Sequence, residues 1–518
     1  MSVPRRPMAA WRHALAVAAA LVYLAASLWG LRALGARWQA ARVLARGVAF
    51  GPPAPGWGAG VDPRGINTWL ERYESEEALG RSLDLLAAGG FRIVRQRFPW
   101  DQIERERGVY DWARWDAIVR QCAERDLRLI AVLDATPPWA RHPGDAANPL
   151  APPRDYADLA AFARVLAGRY AAAIDDYQVW DEPNVYPHWG ECDADPARYL
   201  ALVRAVGEAV RAADPGARVI LAGLAPTAGA GGRNQSEQAY LRGLYEAGGR
   251  GAFDAVALKA YGFWSGADDR RVDPTVLNFS RLVALHEEMV RQGDGGTPVW
   301  AVAWGWNALP EGWQGRPSPW GNDLPERQYA RDLEAIARAR QEWPWLGLMC
   351  YAAWQPMAPA DDPQWGLALV DGQGRLSPLY ALLREDFSRA GAVLYPGRHT
   401  LPADTREVRF WGNRLDLQAP GSWLARVSAV DGQAVERTAG AEGGAAVGAA
   451  SGLPAGEHRL ALSALDEETV AIVSRERAPW FPLSQAAPWA GAWLAVTLGL
   501  CWLLRPYPCE RWGRAALG

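Results

Sequence analysis

Lysine is nearly missing from this 518-residue chain: Lys259 stands alone among 55 basic residues, so arginine supplies almost all of the positive charge. The net charge is only −3, which argues against nucleic acid as a partner. Cysteine is scarce and odd in number. Cys122, Cys192, Cys350, Cys501 and Cys509 are widely spaced, with no C-x-x-C pair, so a disulfide framework is not expected. Free buried thiols are expected instead, with a single Cys122–Cys192 bridge as the alternative. The six histidines show no H-E-x-x-H or other metal spacing. There is no G-x-x-x-x-G-K-[ST] phosphate loop and no G-x-S-x-G elbow. Metal, cofactor, nucleotide and serine-hydrolase chemistry therefore have no support in the sequence. Tryptophan is what abounds, 28 residues against 16 tyrosines and 10 phenylalanines. Its flat apolar face and single N–H donor suit the C–H faces of sugar rings, although many of these indoles must be core.

Two apolar runs bracket the chain. Residues 13–31 carry no formal charge at pH 7 and follow Arg5, Arg6 and Arg12. At 1.5 Å per residue this run nearly spans a hydrocarbon core of about 30 Å. Residues 486–504 form a second run, followed by Arg505, Arg511 and Arg514. Basic outer flanks place both termini in the cytoplasm and the bulk of the chain outside the cell membrane. Arg32, Arg37, Arg42 and Arg46 follow the first run on the outer side and oppose that orientation. A cleaved signal peptide is the other reading of the first run.

Between the runs, short β-like segments alternate with amphipathic helical ones. Strands are predicted at 58–62, 93–97, 127–134, 177–180, 218–222, 255–259, 299–303 and 347–354. Helices are predicted at 75–88, 112–125, 156–170, 196–213, 237–247, 276–292, 326–341 and 379–384. Eight alternations predict an α/β fold, a (β/α)8 TIM barrel, with a doubly wound open sheet as the alternative. From 391 the helical period stops, and strand-like runs at 408–417, 423–430, 458–465 and 469–474 predict a small β-sandwich. The Gly/Ala stretch 440–452 reads as a flexible loop. The expected organisation is a transmembrane helix or signal anchor at 1–35, a linker at 36–56, the barrel at 57–390, the sandwich at 391–478, a transmembrane helix at 479–505 and a basic cytoplasmic tail at 506–518.

Barrel chemistry sits at the C-terminal ends of the strands. The fourth predicted strand ends in Trp180-Asp181-Glu182-Pro183-Asn184. This resembles the W-N-E-P-N motif of the clan A glycoside hydrolases, in which that Glu is the general acid/base. Further segments carry the resemblance. Gly90 to Arg95 is similar to the second-strand pattern ending in the active-site Arg. Phe98-Pro99-Trp100, Ile103-Glu104 and Gly108-Val109-Tyr110-Asp111-Trp112 resemble a segment of β-xylosidase-like and cellulase-like members. Thr136-Pro137-Pro138-Trp139-Ala140 fits the loop after strand three, and Ala260-Tyr261-Gly262 the end of strand six. Trp354-Gln355 fits strand eight, and Trp365 to Asp371 the closing segment. The likeness covers about 57–386 and implies a glycan-acting barrel with an oligo- or polysaccharide as partner and no cofactor. It implies Glu182 as acid/base and Arg95, Trp139, Trp180, Lys259, Tyr261, Trp304, Trp306 and Trp354 as substrate-binding residues.

Three positions depart from the pattern. The nucleophilic Glu of strand seven falls at Ala303 in Trp300-Ala301-Val302-Ala303-Trp304-Gly305-Trp306-Asn307. The sixth-strand His is Lys259, and the Asn before the acid/base is Asp181. Retaining hydrolysis needs two carboxyl groups about 5–5.5 Å apart, and alanine cannot attack. Three readings stay open: a hydrolase using another carboxylate, with Asp134 and Asp181 ahead of Glu191, Asp361 and Asp362; a degenerate barrel that binds glycan uncut; or a membrane scaffold. Lys259 either pairs with Glu182 or Asp181 or reaches solvent. Trp180 and Trp304 have a packing role as their alternative, Arg95 a buried ion pair, and Asp134 an exposed loop or helix cap.

Overall fold

The computed structural model describes residues 8–54, 60–419, 423–441, 445–463, 465, 467–477, 490–491 and 493–498. The chain divides into two compact units, Met1–Arg46 with Arg477–Gly518, and Gly47–Glu476.

In the terminal unit, helix α1 covers Met8–Ala45. Over Val17–Ala45, with mean hydropathy 1.7, it is long and apolar enough to cross a membrane, as a signal sequence near an N-terminus also would be. The helix takes the first ten residues of the expected linker, because this stretch is Ala- and Arg-rich with no proline to stop it. Of the second apolar run, residues 490–491 and 493–498 are described and helical. Tyr23 Oη lies 2.5 Å from Thr497 Oγ1, and the Tyr23 and Trp493 ring centroids are 5.8 Å apart. Cys501, Cys509 and the tail 506–518 lie outside the described residues.

The second unit begins with the barrel. Its strands are β1 (Asp62–Thr68), β2 (Ile93–Pro99), β3 (Arg128–Asp134), β4 (Asp176–Val179), β5 (Arg218–Ile220), β6 (Val256–Tyr261), β7 (Val299–Gly305) and β8 (Leu346–Tyr351). All pair in parallel in the order β5-β4-β3-β2-β1-β8-β7-β6. Parallel bridges Ile220–Ala255 and Leu224–Leu258 join β5 and its exit to β6, so the sheet curls back on itself, as an open doubly wound sheet does not. Helices α2 (Glu76–Ala88), α3 (Ala113–Ala123), α4 (Tyr156–Tyr170), α5 (Pro196–Ala213), α6 (Glu237–Glu246), α7 (Arg281–Arg291), α8 (Pro325–Glu342) and α9 (Pro378–Ala390) follow the strands in turn. Ser75, Asp155, Asp195, Ser236 and Ser377 cap five of them by accepting a backbone N–H.

β1 lies several residues beyond its predicted place. Its sequence, DPRGINT, has little β propensity. Parallel neighbours on both sides hold it, and a Cβ at Gly65 would meet Cys350 Sγ at 2.6 Å. Inside the barrel, Ile93, Ile130, Ile220, Ala257, Trp300, Val302, Leu348 and Cys350 form an apolar floor. Two residues beyond Ile93 on β2, the period of a strand brings in the buried Arg95, which donates to the buried Gln178 on β4 and Asn67 on β1. The expected thiols need one correction. Cys122, Cys192 and Cys350 are all free, but Cys192 is exposed. No Cys122–Cys192 bridge forms, because Cys122 is buried on α3 while Cys192 lies in the loop between β4 and α5. Burial pushes the Cys122 and Cys350 thiols up to about 12.

The C-terminal part of this unit holds two antiparallel four-stranded sheets. One has the order β9-β16-β11-β14, from Gly397–Leu401, Thr469–Ser474, Arg414–Gln418 and Val447–Ala450; the other is β10-β15-β12-β13, from Glu407–Gly412, Gly456–Leu462, Trp423–Val430 and Gln433–Ala441. Phe410, Leu415, Val427, Leu460 and Val473, drawn from both sheets, share one core. The single strand expected at 408–417 is broken at Asn413, and its halves join different sheets. The expected flexible loop 440–452 gives 440–441 and 447–450 to strands, since β12 and β11 supply ladder partners for a Gly/Ala-rich segment of little β propensity.

Candidate active site

The exit of β4 is held in an uncommon backbone. Trp180 and Glu182 have φ of 68° and 52°, left-handed values that cost energy for non-glycine residues and cluster at functional sites. Asn184 fixes this turn. Its Nδ2 donates to the carbonyls of Ala225 (2.8 Å) and Gln235 (2.9 Å), and its Oδ1 accepts from Ala225 N–H at 2.9 Å. Asn184→Ala is expected to cost about 2–4 kcal/mol, because it leaves buried backbone groups unpaired; thermal unfolding of the purified chain reads this directly.

The turn delivers two carboxylates to one ammonium. Lys259 Nζ lies 2.9 Å from Asp181 Oδ2 and 2.8 Å from Glu182 Oε1. Arg95 Nη2 donates to Asp181 Oδ1 at 2.8 Å, while its other nitrogens reach Gln178 Oε1 (2.9 Å) and Asn67 Oδ1 (2.7 Å). His188 Nε2 lies 3.0 Å from Glu182 Oε2. Both oxygens of Glu182 thus face nitrogen partners. Burial alone would raise the Glu182 pKa, but Lys259 and then His188 outweigh it and hold this carboxyl well below the usual range. Asp181 is likewise raised by burial and lowered overall by Lys259 and Arg95. Lys259, which burial would depress, is raised by the same two carboxylates.

Strand seven is aliphatic at this level. Lys259 is in register with Ala303, after a bulge that follows Leu258 and Ala301. Val302 also reaches the cluster. A Cβ at Gly223 would lie 2.7 Å from Val302 Cγ2 and 3.0 Å from Asp181 Oδ1, so the absence of a side chain there lets the β5 exit close over the carboxylates.

No family model and no curated protein matches the sequence. Solved structures do match. A family 39 glycoside hydrolase from the gut symbiont Bacteroides cellulosilyticus WH2 aligns over 80% of this chain and 83% of its own, at 15% identity and a TM-score of 0.50. A monomeric β-xylosidase from Caulobacter crescentus CB15 aligns over 80% and 98%, at 15% identity and a TM-score of 0.46. The fold is that of the clan A glycoside hydrolases. At such identities the likeness reaches the fold and no further.

Within this barrel the sequence-derived residues fall into three groups. Glu182, Asp181, Arg95 and Lys259 come together as described, with Tyr261 beside them. Burial pushes the Tyr261 phenol up to about 12, with Lys259 opposing. Asp134 is buried and bound by Arg97 Nε at 2.9 Å, so it neither caps a helix nor lies exposed. Glu191, Asp361 and Asp362 pair with Arg233 and Arg316.

The indoles form the third group. Trp180, Trp304, Trp306 and Trp354 are fully buried and present no face to solvent. Trp180 donates to the His188 carbonyl (2.7 Å) and Trp354 to Ser82 Oγ (2.8 Å). Trp304 packs edge-on against Tyr351. Trp139 is half-buried among Trp100 and Arg107. Sequence reasoning missed Asn67, Gln178, His188, Gly223 and Val302. Gln178 was within reach, since it lies in the predicted strand 177–180; Asn67 lay beyond the strand predicted at 58–62, and nothing in the spacing marks His188.

Proposed function

We propose that this is a membrane-tethered barrel that holds a glycan at the mouth around Glu182 without cleaving it by double displacement. The single observation that carries this reading is the Lys259 ammonium bridging Asp181 and Glu182. A carboxyl held ionised in this way is a poor proton donor at neutral pH. The level of strand seven where an attacking oxygen would be needed holds Val302 and Ala303. Asp134 and Asp181, the alternative carboxylates, are each tied to cations, which supports binding over inverting hydrolysis. α1 supplies the tether, the run 486–504 a second span, and the basic tail the cytoplasmic end, with Gly47–Glu476 outside the cell.

Aryl β-glycosides offered to wild type, Ala303→Glu and Glu182→Gln test the reading. Turnover is expected only in Ala303→Glu, where a carboxylate returns to strand seven and competes with Glu182 for Lys259. Wild-type turnover that vanishes in Glu182→Gln would show a working enzyme and overturn the proposal.

A further inference from the structure

Helix α1 is longer than a bilayer requires, and its excess is basic. Its 38 residues span about 57 Å, against a hydrocarbon core of about 30 Å. The apolar run ends at Leu31, and the helix continues unbroken from Arg32 to Ala45. Residues 1–61 hold seven arginines and no aspartate or glutamate. Arg5, Arg6 and Arg12 precede the run, as a cytoplasmic flank should. Arg32, Arg37, Arg42 and Arg46 follow it, on the side where the positive-inside bias expects few. Membrane orientation therefore does not account for this second group.

Its spacing sets its placement around the helix. Arg32, Arg37 and Arg42 recur every five residues. At about 100° per residue, each step turns about 140° past a full circle. The three residues therefore surround the helix instead of sharing a face, and all three are exposed. Trp38 lies within this ring and is 54% exposed. The Arg42 guanidinium sits over its indole, 4.6 Å from the centroid. Stacking on a ring leaves the guanidinium N–H edge open to an acceptor from outside, and tryptophan is enriched at the level of lipid headgroups.

We infer that residues 32–46 form a collar that binds the headgroups of anionic phospholipids in the outer leaflet. A protein partner docks on one face of a helix, whereas charge on every side fits a medium that encloses it. From Arg32 to Arg42 the collar rises about 15 Å, and long arginine side chains reach along the axis toward one headgroup layer. Guanidinium forks pair with phosphate oxygens through two parallel hydrogen bonds. No carboxylate within residues 1–61 competes for these forks. Zwitterionic headgroups bring their own cation beside the phosphate, so net anionic ones are preferred. The inference rests on the membrane tether proposed above and adds the class of lipid that the tether selects.

Lipid retention by the full chain tests the inference. The chain is extracted from cell membranes in detergent, mixed with equal amounts of phosphatidylglycerol and phosphatidylcholine, and passed through size exclusion; mass spectrometry counts the lipid retained. Wild type is expected to retain phosphatidylglycerol over phosphatidylcholine by roughly tenfold or more, each arginine near an anionic surface supplying about a fivefold bias. In Arg32→Gln/Arg37→Gln/Arg42→Gln that ratio should fall about fivefold or more. Glutamine is a good helix former, so the melting temperature of the triple variant should match wild type. A chain that stays in the membrane fraction but shows the same ratio in wild type and triple variant would overturn the collar and leave the tether intact. Recovery of the wild-type chain from the soluble fraction of cells would overturn both.

Discussion

Lys259→Met should produce the largest change at the charged cluster: the apparent pKa of Glu182 rises and the fold weakens. In the wild type one ammonium bridges two partly buried carboxylates, with Arg95 as the second cation on Asp181. Methionine keeps the volume and removes the charge, so Asp181 retains Arg95 while Glu182 retains only His188. Removing one partner of a buried ionic group costs about 3–5 kcal/mol. The pH dependence follows from the direction of the shift. Glu182 and Asp181 are lowered in the folded wild type, so they contribute stability present above about pH 4, their unfolded range. That contribution is lost as pH falls through their folded values. In the variant Glu182 is raised instead and destabilises at neutral pH, a penalty relieved on protonation. The stability gap between the two proteins should therefore narrow as pH falls from 7 toward 4. Thermal unfolding at both pH values measures the gap, and carbon-13 carboxyl titration of Glu182 measures the shift. An unmoved Glu182 titration would show that Lys259 does not govern it.

Gly262→Ala is the second large effect, and its origin is purely steric. An added Cβ would lie 1.7 Å from Trp306 Cε2 and 2.1 Å from its Nε1. That indole has little room to yield. It is fully buried, donates to the Ser265 carbonyl at 2.6 Å, and packs against Phe279 at 5.7 Å. Overpacking of a core commonly costs about 1–3 kcal/mol; with backbone on one side and a pinned ring on the other, about 3 kcal/mol or more is expected. The melting temperature should fall by several degrees, and Trp306→Phe in the same chain should recover part of the loss through a non-additive coupling. An unchanged melting temperature would mean that the ring moves freely.

The two predictions concern neighbouring residues on one strand exit, and they differ in how far the sequence reveals them. The placement of Glu182, Asp181 and Lys259 at strand ends was legible, because motif and strand period together put them there. That a single ammonium bridges both carboxylates was open until the β4 turn and β6 were set side by side. The role of Gly262 had no sequence signal, since the ring that excludes its Cβ lies 44 residues later in the chain. The indoles were misleading in the opposite way. Tryptophan at a strand end looks the same in sequence whether it faces the cavity or the helices, and Trp180, Trp304, Trp306 and Trp354 are buried, while Trp320, which was not singled out, packs beside Tyr261.

By itself the sequence determined the alternation of strand and helix, the eight-fold repeat and the identity of the strand-end residues, because hydrophobic period, caps and turns are local properties. Only the tertiary structure decided the position of β1, the splitting of 408–417 between two sheets, and which polar and aromatic side chains meet at the mouth. Those outcomes depend on partners distant in the chain: a parallel neighbour can impose a strand on DPRGINT, and a cation can hold a buried carboxyl ionised, with neither written in the residues around them.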